Sequence, residues 1–578
     1  MKKIIIPLIF FACVTISCND LFDLRTNGTI TMDEVFTDRN RTRGYLSACY
    51  DNRPGLYLHS GAFTDDAEDS ENKSAYTAYD YWYNTGLSVS NFSSFNLDGN
   101  IWTPCYTGIR KCNIFIANIE DAPIFATQQE KAGWKAQAHT LRAFYYLNLI
   151  KRYGSVPIIL EAFDKDYNYV NEKKSPVGEV VRQILTDCDI ALRTPSSDDF
   201  SWDVKDRQWN IMTKATAWAI KSQAVTYAVS PLFNDGIISM EEALDITKDA
   251  LSNCLQNGYE LWTEADGVNG YNAYAAYFLY NPDDNRAKDK ETIYGGSRVT
   301  AWSLAGLPII DGVSKAGPCP TQDLVDAYEM NNGEAPIIGY SDANRLEPVI
   351  NPLSNYDEND PYKNRDPRFY ATIFYNGSKR GTTDIFTYEG GNCGISETNI
   401  KNTPTGYYLR KYAHDNSTRT SNSDGYIRMI RLPELFYNFA EIAYQVKGPD
   451  EKINIGNGLL MSACDAVSAV RTRVGMPPFP AAMSKEQFEK KYRNERRIEY
   501  AMDQERYFDL RRWKIMKEKT TFVTGMRIVK DGENYVYHRF RFDSRTSSED
   551  KYLLYPINLE EVNKMLKITG VNWQNPGW

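Results

Sequence analysis

QEKAGWKAQAHTLRAFYYLNLIKRY, residues 129–153, is the stretch whose reading decides the fold. Trp134, Ala138, Leu141, Tyr145 and Leu149 recur at steps of four, three, four and four, which gathers them on one stripe of a helix that ends before Gly154. The spacing predicts an amphipathic helix. Stripes of the same kind run through 177–192, 211–229 (Ala215, Trp218, Ala219, Ser222, Val225) and 240–255, each bounded by Pro or Gly. Alanine at facing positions lets such helices approach closely, as in tetratricopeptide-like solenoids. The repeat signature is degenerate, so periodicity alone gives stacked helix pairs.

Downstream, from about Gly258 to Tyr426, the pattern changes to short apolar runs broken by Gly, Pro, Asn and Asp, which predicts loops with minor strand. Helix returns at 433–446, 458–474, 485–502 and 505–517. The predicted fold class is therefore mainly α: a helical scaffold over about 35–257 and 431–520, a loop-rich, ligand-facing insertion over about 258–430, and a C-terminal segment 521–578. Long loops on a rigid scaffold are where binding sites usually lie.

Upstream, the chain opens MKKIIIPLIFFACVTISCNDLFDL. Lys2 and Lys3 form a positive region, Ile4 to Ala12 an apolar run too short to span a bilayer, and Ser17-Cys18 a small-residue cleavage point. This reads as a lipoprotein signal peptide, 1–17, with Cys18 as the acylated residue and 18–34 as a tether to a single domain, 35–578. Beyond the leader no apolar run approaches a transmembrane length, so membrane attachment is expected through the lipid anchor only. The formal net charge of −9 argues against nucleic acid, whose phosphates call for a basic surplus. Besides Cys13 and Cys18, the eight cysteines show no CxxC pair and no regular spacing, which fits neither a zinc site nor a small disulfide scaffold.

No HExxH, GxSxG, P-loop or dinucleotide glycine pattern occurs, and the four histidines, His59, His139, His414 and His538, are not at metal-ligand spacing. No enzyme activity, catalytic residue, metal or cofactor is expected. The one weak cation candidate is Asp283, Asp284, Asn285 and Asp289, whose oxygens suit a structural calcium but lack EF-hand spacing. The run Asp65-Asp66-Ala67-Glu68-Asp69-Ser70-Glu71 offers the paired carboxylates of a glycosidase, although clustered acids are more often a solvated loop. In RNERRIEYAMDQERYFDLRRWK, residues 493–514, acids and arginines interleave as a salt-bridge lattice, and some of those arginines are expected to pair with Glu441, a lone carboxylate in LFYNFAEIAY.

Aromatic residues are the compositional outlier: 40 Tyr and 11 Trp bring Phe, Trp and Tyr to 13% in a chain of mean hydropathy −0.51. Such rings, apolar on the face and polar at the rim, suit sugar rings. Tyr79-Asp80-Tyr81-Trp82-Tyr83-Asn84 sits in loop-like surroundings and reads as a stacking platform, with Asn84 for hydroxyl contacts. Tyr277, Tyr280, Tyr294, Arg298 and Trp302 form a second set in the insertion.

Taken in order, the blocks CNDLFD, WTPCYTGIRKCNIFIANI, HTLRAFYYLNLIKRYGSVPII, TQDLVDAYEMNNG, NRDPRFYATIFYNG, RLPELFYNFAEIAYQ, AVSAVRTRVGMP, RNERRIEYAMDQERYFDLRRW, YLLYPINLEEVNKM and NPGW resemble the SusD/RagB family of outer-membrane nutrient-binding lipoproteins from Bacteroidetes, over essentially the whole chain. The resemblance implies a SusD-like α-helical fold with tetratricopeptide-like helix pairs and a lipid-anchored, cell-surface position on the outer membrane. It also implies that the protein captures glycans non-catalytically and passes them to a SusC-like, TonB-dependent transporter. Relatives bind glycans through aromatic residues in two loop regions corresponding broadly to 79–84 and 277–302. By this resemblance Trp82 and Trp302 are the first expected contacts, then Tyr81, Tyr83 and Tyr280, with Asn84 and Arg298 as polar partners. Capture of a peptide or another non-glycan nutrient on the same scaffold is the alternative, and a surface glycoside hydrolase a more distant one.

Overall fold

The computed structural model of the chain describes residues 30–578 except 56–57, 73, 75–76, 96–98, 203–208, 269, 280–287, 299–305, 311–312, 314, 397–398, 400 and 416–424. Helices α1 (Arg39–Tyr50) and α2 (Trp102–Asn118) lead into α3 (Gln128–Tyr153), the helix read from the opening stretch. The Thr127 hydroxyl caps α3 by accepting from the Glu130 N–H, and the Glu130 carboxylate accepts in turn from the Thr127 N–H. Gly154, at φ 69°, ends it.

α3 is more than amphipathic. Every residue from Ala136 to Ile150 is buried, because α1, α2, α4 (Val177–Arg193) and α5 (Lys214–Ala228) all pack on it. Its polar residues are consequently paired. Arg142 grips Asp187 of α4 through two bonds of 2.6 and 2.9 Å and reaches Asn113 of α2 at 2.8 Å, while His139 Nδ1 lies 2.7 Å from Asp187. Burial opposes ionisation of Asp187, but His139 and Arg142 outweigh it and keep its carboxyl below the usual range. Gly108 lets α2 approach, since a Cβ there would lie 2.3 Å from the Tyr145 ring.

Helix α6 (Met240–Gln256) packs on α5 as α5 packs on α4, which continues the stack. After the loop-rich region the chain returns as α7 (Leu432–Val446), which packs on α5 and α6, and α8 (Ala463–Thr472) and α9 (Lys485–Glu499) then cover α7. α10 (Glu505–Arg512) follows. The two helical stretches are therefore one scaffold around a core running from Phe36 to Trp573. Strands form only two-stranded pairs among the described residues. Those that frame the region below are β1 (Ala67–Asp69) with β3 (Pro318–Pro320), β2 (Thr292–Arg298) with β4 (Tyr426–Arg431), and the hairpin β5 (Thr524–Asp531) with β6 (Asn534–Arg541), all antiparallel. Cysteines 49, 105, 112, 188, 254, 319, 393 and 464 are all free and buried.

The lattice expected in residues 493–514 is a set of buried ion pairs. Arg512 of α10 clasps Glu441 of α7 and holds Asp509 at 2.8 Å, and Tyr492 and Trp513 donate to Glu441 at 2.8 and 2.9 Å. Glu499 accepts from Arg368 at 3.3 Å, Arg431 at 2.8 Å and Arg473. Burial would raise both carboxyls, yet the guanidinium groups dominate and pull Glu441 and Glu499 down to about 2.

A carboxyl held below its unfolded value stabilises the fold above that value and loses the contribution as pH falls. The stability supplied by Glu441 and Glu499 is thus expected to disappear between about pH 4.5 and about pH 2, a loss that urea unfolding followed against pH will record. At neutral pH, Arg512→Ala should cost about 3–5 kcal/mol, because it strands a buried carboxylate.

Candidate functional site

The segment expected to be a loop platform is helical. Thr77 caps a short turn, Ala78–Asp80, by accepting from the Asp80 N–H, and the chain continues as a π-helical turn, Tyr81–Thr85, before Gly86 at φ 71°. Tyr79, Trp82 and Tyr83 stand at i, i+3 and i+4, so they share one face, and that face points inward. Trp82 is 1% exposed, stacks on Phe63 at 4.2 Å and donates through Nε1 to the Phe95 carbonyl at 3.2 Å. Tyr83, 3% exposed, donates to the Ala62 carbonyl at 2.6 Å beneath the Arg545 guanidinium. Both expectations are corrected: Trp82 and Tyr83 are core residues with no free ring face. Tyr81 is half-buried, with one face stacked on Phe95 at 3.8 Å. Asn84 is exposed and donates to the Asn72 carbonyl and to Asp80.

In the second set, Tyr277 and Tyr294 are buried, Tyr277 against Thr292 at 2.8 Å and Tyr294 hydrogen-bonded by Arg53. Arg298 ends β2, where its backbone pairs with Tyr426 of β4. Tyr280, Trp302 and Cys18 lie outside the described residues, as do Asp283, Asp284 and Asn285. Asp289 is engaged within the protein: Oδ1 accepts from the Glu291 and Thr292 N–H groups, while Oδ2 accepts from the Thr292 hydroxyl and Arg428. No group of His, Cys, Asp and Glu poised to hold a metal occurs among the described residues.

Asp65 to Ser70 of the acidic run are buried, not solvated, and burial pushes the Asp69 carboxyl up to about 7. Asp65 takes Arg506 through bonds of 2.9 and 2.7 Å and Arg497 at 3.1 Å, Asp66 takes Arg497 at 2.7 Å, and Glu68 takes Arg545. Burial opposes ionisation of Asp65, but Arg497 and Arg506 hold its carboxyl far below the usual range. The run is a docking point for C-terminal arginines.

Residues between Glu68 and Asn84, loop residues between Ile395 and Pro404, and the C-terminal hairpin line one cleft of about 320 Å³. Its wall is rich in amides: Asn72, Asn84, Asn399 and Asn402, with Ser396 beside them. Asn402 donates to the Gly394 carbonyl at 2.6 Å, and its Oδ1 has no partner among the described residues. Opposite stand the half-buried rings Phe540 and Phe542, 5.2 Å apart, with Arg527 and the exposed Arg541. Gly525 of β5 makes room for Phe540, because a Cβ there would sit 2.5 Å from the ring. Such a cleft, at the small end of ligand pockets, can pair amide donors and acceptors with adjacent hydroxyls while a ring covers an apolar face. Of the expected contacts it contains Asn84 and the edge of Tyr83. Sequence reading missed Phe540, Phe542 and Arg541. The signal was there in MRIVKDGENYVYHRFRF, where Asp531-Gly532 divides two alternating runs into a hairpin.

The structure is thus a scaffold of stacked helix pairs with a polar, ring-lined surface cleft. A family model described as the SusD family matches residues 256–578, and one described as starch-binding associating with outer membrane matches residues 38–224. The chain belongs to the SusD family. Among solved structures it is similar to a SusD-like protein from Bacteroides fragilis, at 23% identity and a TM-score of 0.72, over 95% of this chain and 100% of that one. A SusD-like carbohydrate binding protein, also from Bacteroides fragilis, aligns at 19% identity and a TM-score of 0.67, over 93% and 99%. A surface glycan-binding protein A from Bacteroides fluxus aligns at 18% and 0.57, again over 93% and 99%. No curated protein matches the chain.

Removing the Trp82 side chain should act on the fold before it acts on any ligand. Trp82→Ala is expected to lose about 3–5 kcal/mol of stability in urea unfolding, whereas Asn84→Ala should stay within about 0.5 kcal/mol of the parent.

Proposed function

We propose that this protein is a non-catalytic glycan-binding lipoprotein of the outer membrane, and that the amide- and ring-lined cleft between Asn84 and the C-terminal hairpin holds part of an oligosaccharide or polysaccharide. The observation that carries this reading is the cleft's donor set. Asn72, Asn84, Asn399 and Asn402 supply neutral donors and acceptors in pairs, and Phe540 and Phe542 supply apolar faces. Membership of the SusD family supports it, as do the likeness to a structure titled as carbohydrate binding and the family description that mentions outer-membrane association. Binding of this kind needs no transition-state machinery and no cofactor. Of the carboxylates between Asp65 and Glu71 that a hydrolase reading would use, Asp65, Asp66 and Glu68 are committed to arginines and Glu71 to Lys315, while Asp69 accepts from the Glu71 N–H.

In this reading residues 1–17 are removed, acylated Cys18 and the tether to residue 34 hold a single domain, 35–578, at the cell surface, and captured glycan passes to a SusC-like, TonB-dependent transporter. Trp302, Tyr280 and Arg298 remain proposed contacts from the insertion, joining Asn84 and Tyr81. Arg527 and Arg541 add positive charge to the rim, which gives acidic sugars a place to dock.

Affinity electrophoresis of the protein without its first 18 residues, against plant, host and microbial polysaccharides, tests the reading. Retardation by one polymer class is expected, weakened about tenfold by Asn84→Ala combined with Phe540→Ala. Mobility unchanged by every polymer overturns glycan capture by the isolated protein. For the anchor, Cys18→Ser should abolish labelling by a palmitate analogue and release the protein from the membrane fraction, and retained labelling would reject Cys18 as the acylated residue.

A further inference from the structure

The hairpin β5–β6 has two faces, and one of them lines the cleft along the strands, with Arg541 joining from the strand end. Arg527 and Phe540 lie on that face. On the other, Met526 and Ile528 are buried in a core with Tyr328, Tyr362 and Phe369, and their cross-strand neighbours toward the hairpin tip are Tyr537, opposite Ile528, and Tyr535, opposite Lys530. Tyr535 and Tyr537 are half-buried and, being two residues apart on one strand, their Cα atoms are about 7 Å apart. Tyr535 has a half-buried tyrosine at its side, and Tyr537 is separated from one by the buried Tyr362 ring. Tyr388 lies 5.6 Å from Tyr535, and Tyr375 and Tyr537 flank the buried Tyr362 ring at 4.7 and 5.8 Å.

Packing explains why one edge of each ring is held, and leaves the hydroxyls unexplained. Tyr362 and Tyr370 use theirs inside the protein, Tyr362 toward the Tyr407 hydroxyl and Tyr370 toward the Tyr362 carbonyl. Tyr375, Tyr388, Tyr535 and Tyr537 have no hydrogen-bond partner for theirs among the described residues. A phenylalanine would fill the same space at each position. Around the rings stand an exposed carboxylate, Asp360, within electrostatic reach of Tyr375 and Tyr537, and an ammonium, Lys530, 5.5 Å above Tyr388. Ring faces, free phenol hydroxyls and single charges at the margin form a wet aromatic surface, which fits a ligand with apolar C–H faces and many hydroxyls better than a dry protein partner.

We propose that Tyr375, Tyr388, Tyr535 and Tyr537 form a second glycan-binding surface, which holds a further stretch of a hydroxyl-rich polysaccharide on the face of the hairpin opposite the cleft. The proposal rests on the glycan reading of the cleft and extends it. Tyr535 and Tyr537 meet successive units of a chain lying along β6, while the four hydroxyls and Asp360 exchange hydrogen bonds with its hydroxyls. Two separated contacts on one polymer raise retention through effective concentration without a tighter individual site.

The test uses the chain without its first 18 residues and whichever polymer retards it in affinity electrophoresis. Tyr388→Ala with Tyr535→Ala should weaken retention about tenfold, and the milder replacement of all four tyrosines by phenylalanine, which keeps the packing, about threefold. Circular dichroism melts establish that each variant is folded, and the four-phenylalanine protein stands alone if the alanine pair is not. Retention unchanged in the folded tyrosine variants, with Asn84→Ala and Phe540→Ala still weakening it, overturns this inference alone and leaves the tyrosines to a protein partner. Absence of retention in the parent protein by any polymer overturns both this surface and the cleft.

Discussion

Arg497 reaches back across 431 residues of chain to Asp66, and contacts of this kind between buried charges decide how the molecule is assembled. Arg506 and Arg497 hold Asp65, Arg545 holds Glu68, Arg512 holds Glu441, and Arg368, Arg431 and Arg473 converge on Glu499. Desolvating a single carboxylate costs several kcal/mol, and only a well-placed partner offsets it. Each pair therefore acts as a condition on the fold: either both ends of the chain are in place, or a charge is stranded. That is a stricter demand than apolar burial makes, because oily surfaces tolerate substitution of one another and bidentate pairs do not.

The same constraint positions the cleft. The segment that carries Asn84 has little apolar surface of its own beyond the inward face Tyr79, Trp82 and Tyr83, and its strand β1 pairs only with the three-residue β3. It is fixed against the C-terminal part by the arginines on Asp65, Asp66 and Glu68 together with Trp82 packing on Tyr507 and Tyr552, the Thr546 hydroxyl donating to the Trp82 carbonyl and the Leu87 N–H donating to the Tyr552 hydroxyl. Three of the acids that resemble catalytic groups in sequence are therefore spent on holding the segment in place. Rigid walls limit the ordering entropy a ligand has to overcome, which matters for a flexible polymer.

Much of the scaffold was legible because helices declare themselves through period and punctuation. The stripes at 177–192, 240–255 and 433–446 correspond to α4, α6 and α7 nearly to the residue, with Pro176, Ser239 and Pro433 at their starts. α3 was read as amphipathic and is buried nearly all round, since its polar residues pair with neighbouring helices that no single stripe can announce. The lattice around Glu441 was legible in its charges, although which arginine serves which acid depends on residues hundreds of positions apart. The site was harder. Trp82 and Tyr83 looked like a platform because aromatic density was weighed and the i, i+3, i+4 spacing of Tyr79, Trp82 and Tyr83 was not.

Aromatic residues in this chain thus divide by what happens to their polar atoms. Tyr83 donates to the Ala62 carbonyl, Tyr145 to that of Cys49, Tyr274 to that of Glu499, and each is a core residue for which the hydroxyl is a structural tie. Tyr375, Tyr388, Tyr535 and Tyr537 differ in having no such tie among the described residues; Tyr535 and Tyr537 stand on one face of the hairpin, with Tyr388 beside Tyr535 and Tyr375 across the Tyr362 ring from Tyr537. A buried hydroxyl without a partner is costly. Retention of tyrosine at four half-exposed neighbours is understandable when the partner comes from outside the chain. The number of tyrosines therefore says little by itself; what sets these four apart is an unpartnered hydroxyl on a half-buried ring, whereas Tyr328, Tyr437 and Tyr500 keep hydroxyls without a partner among the described residues inside the core.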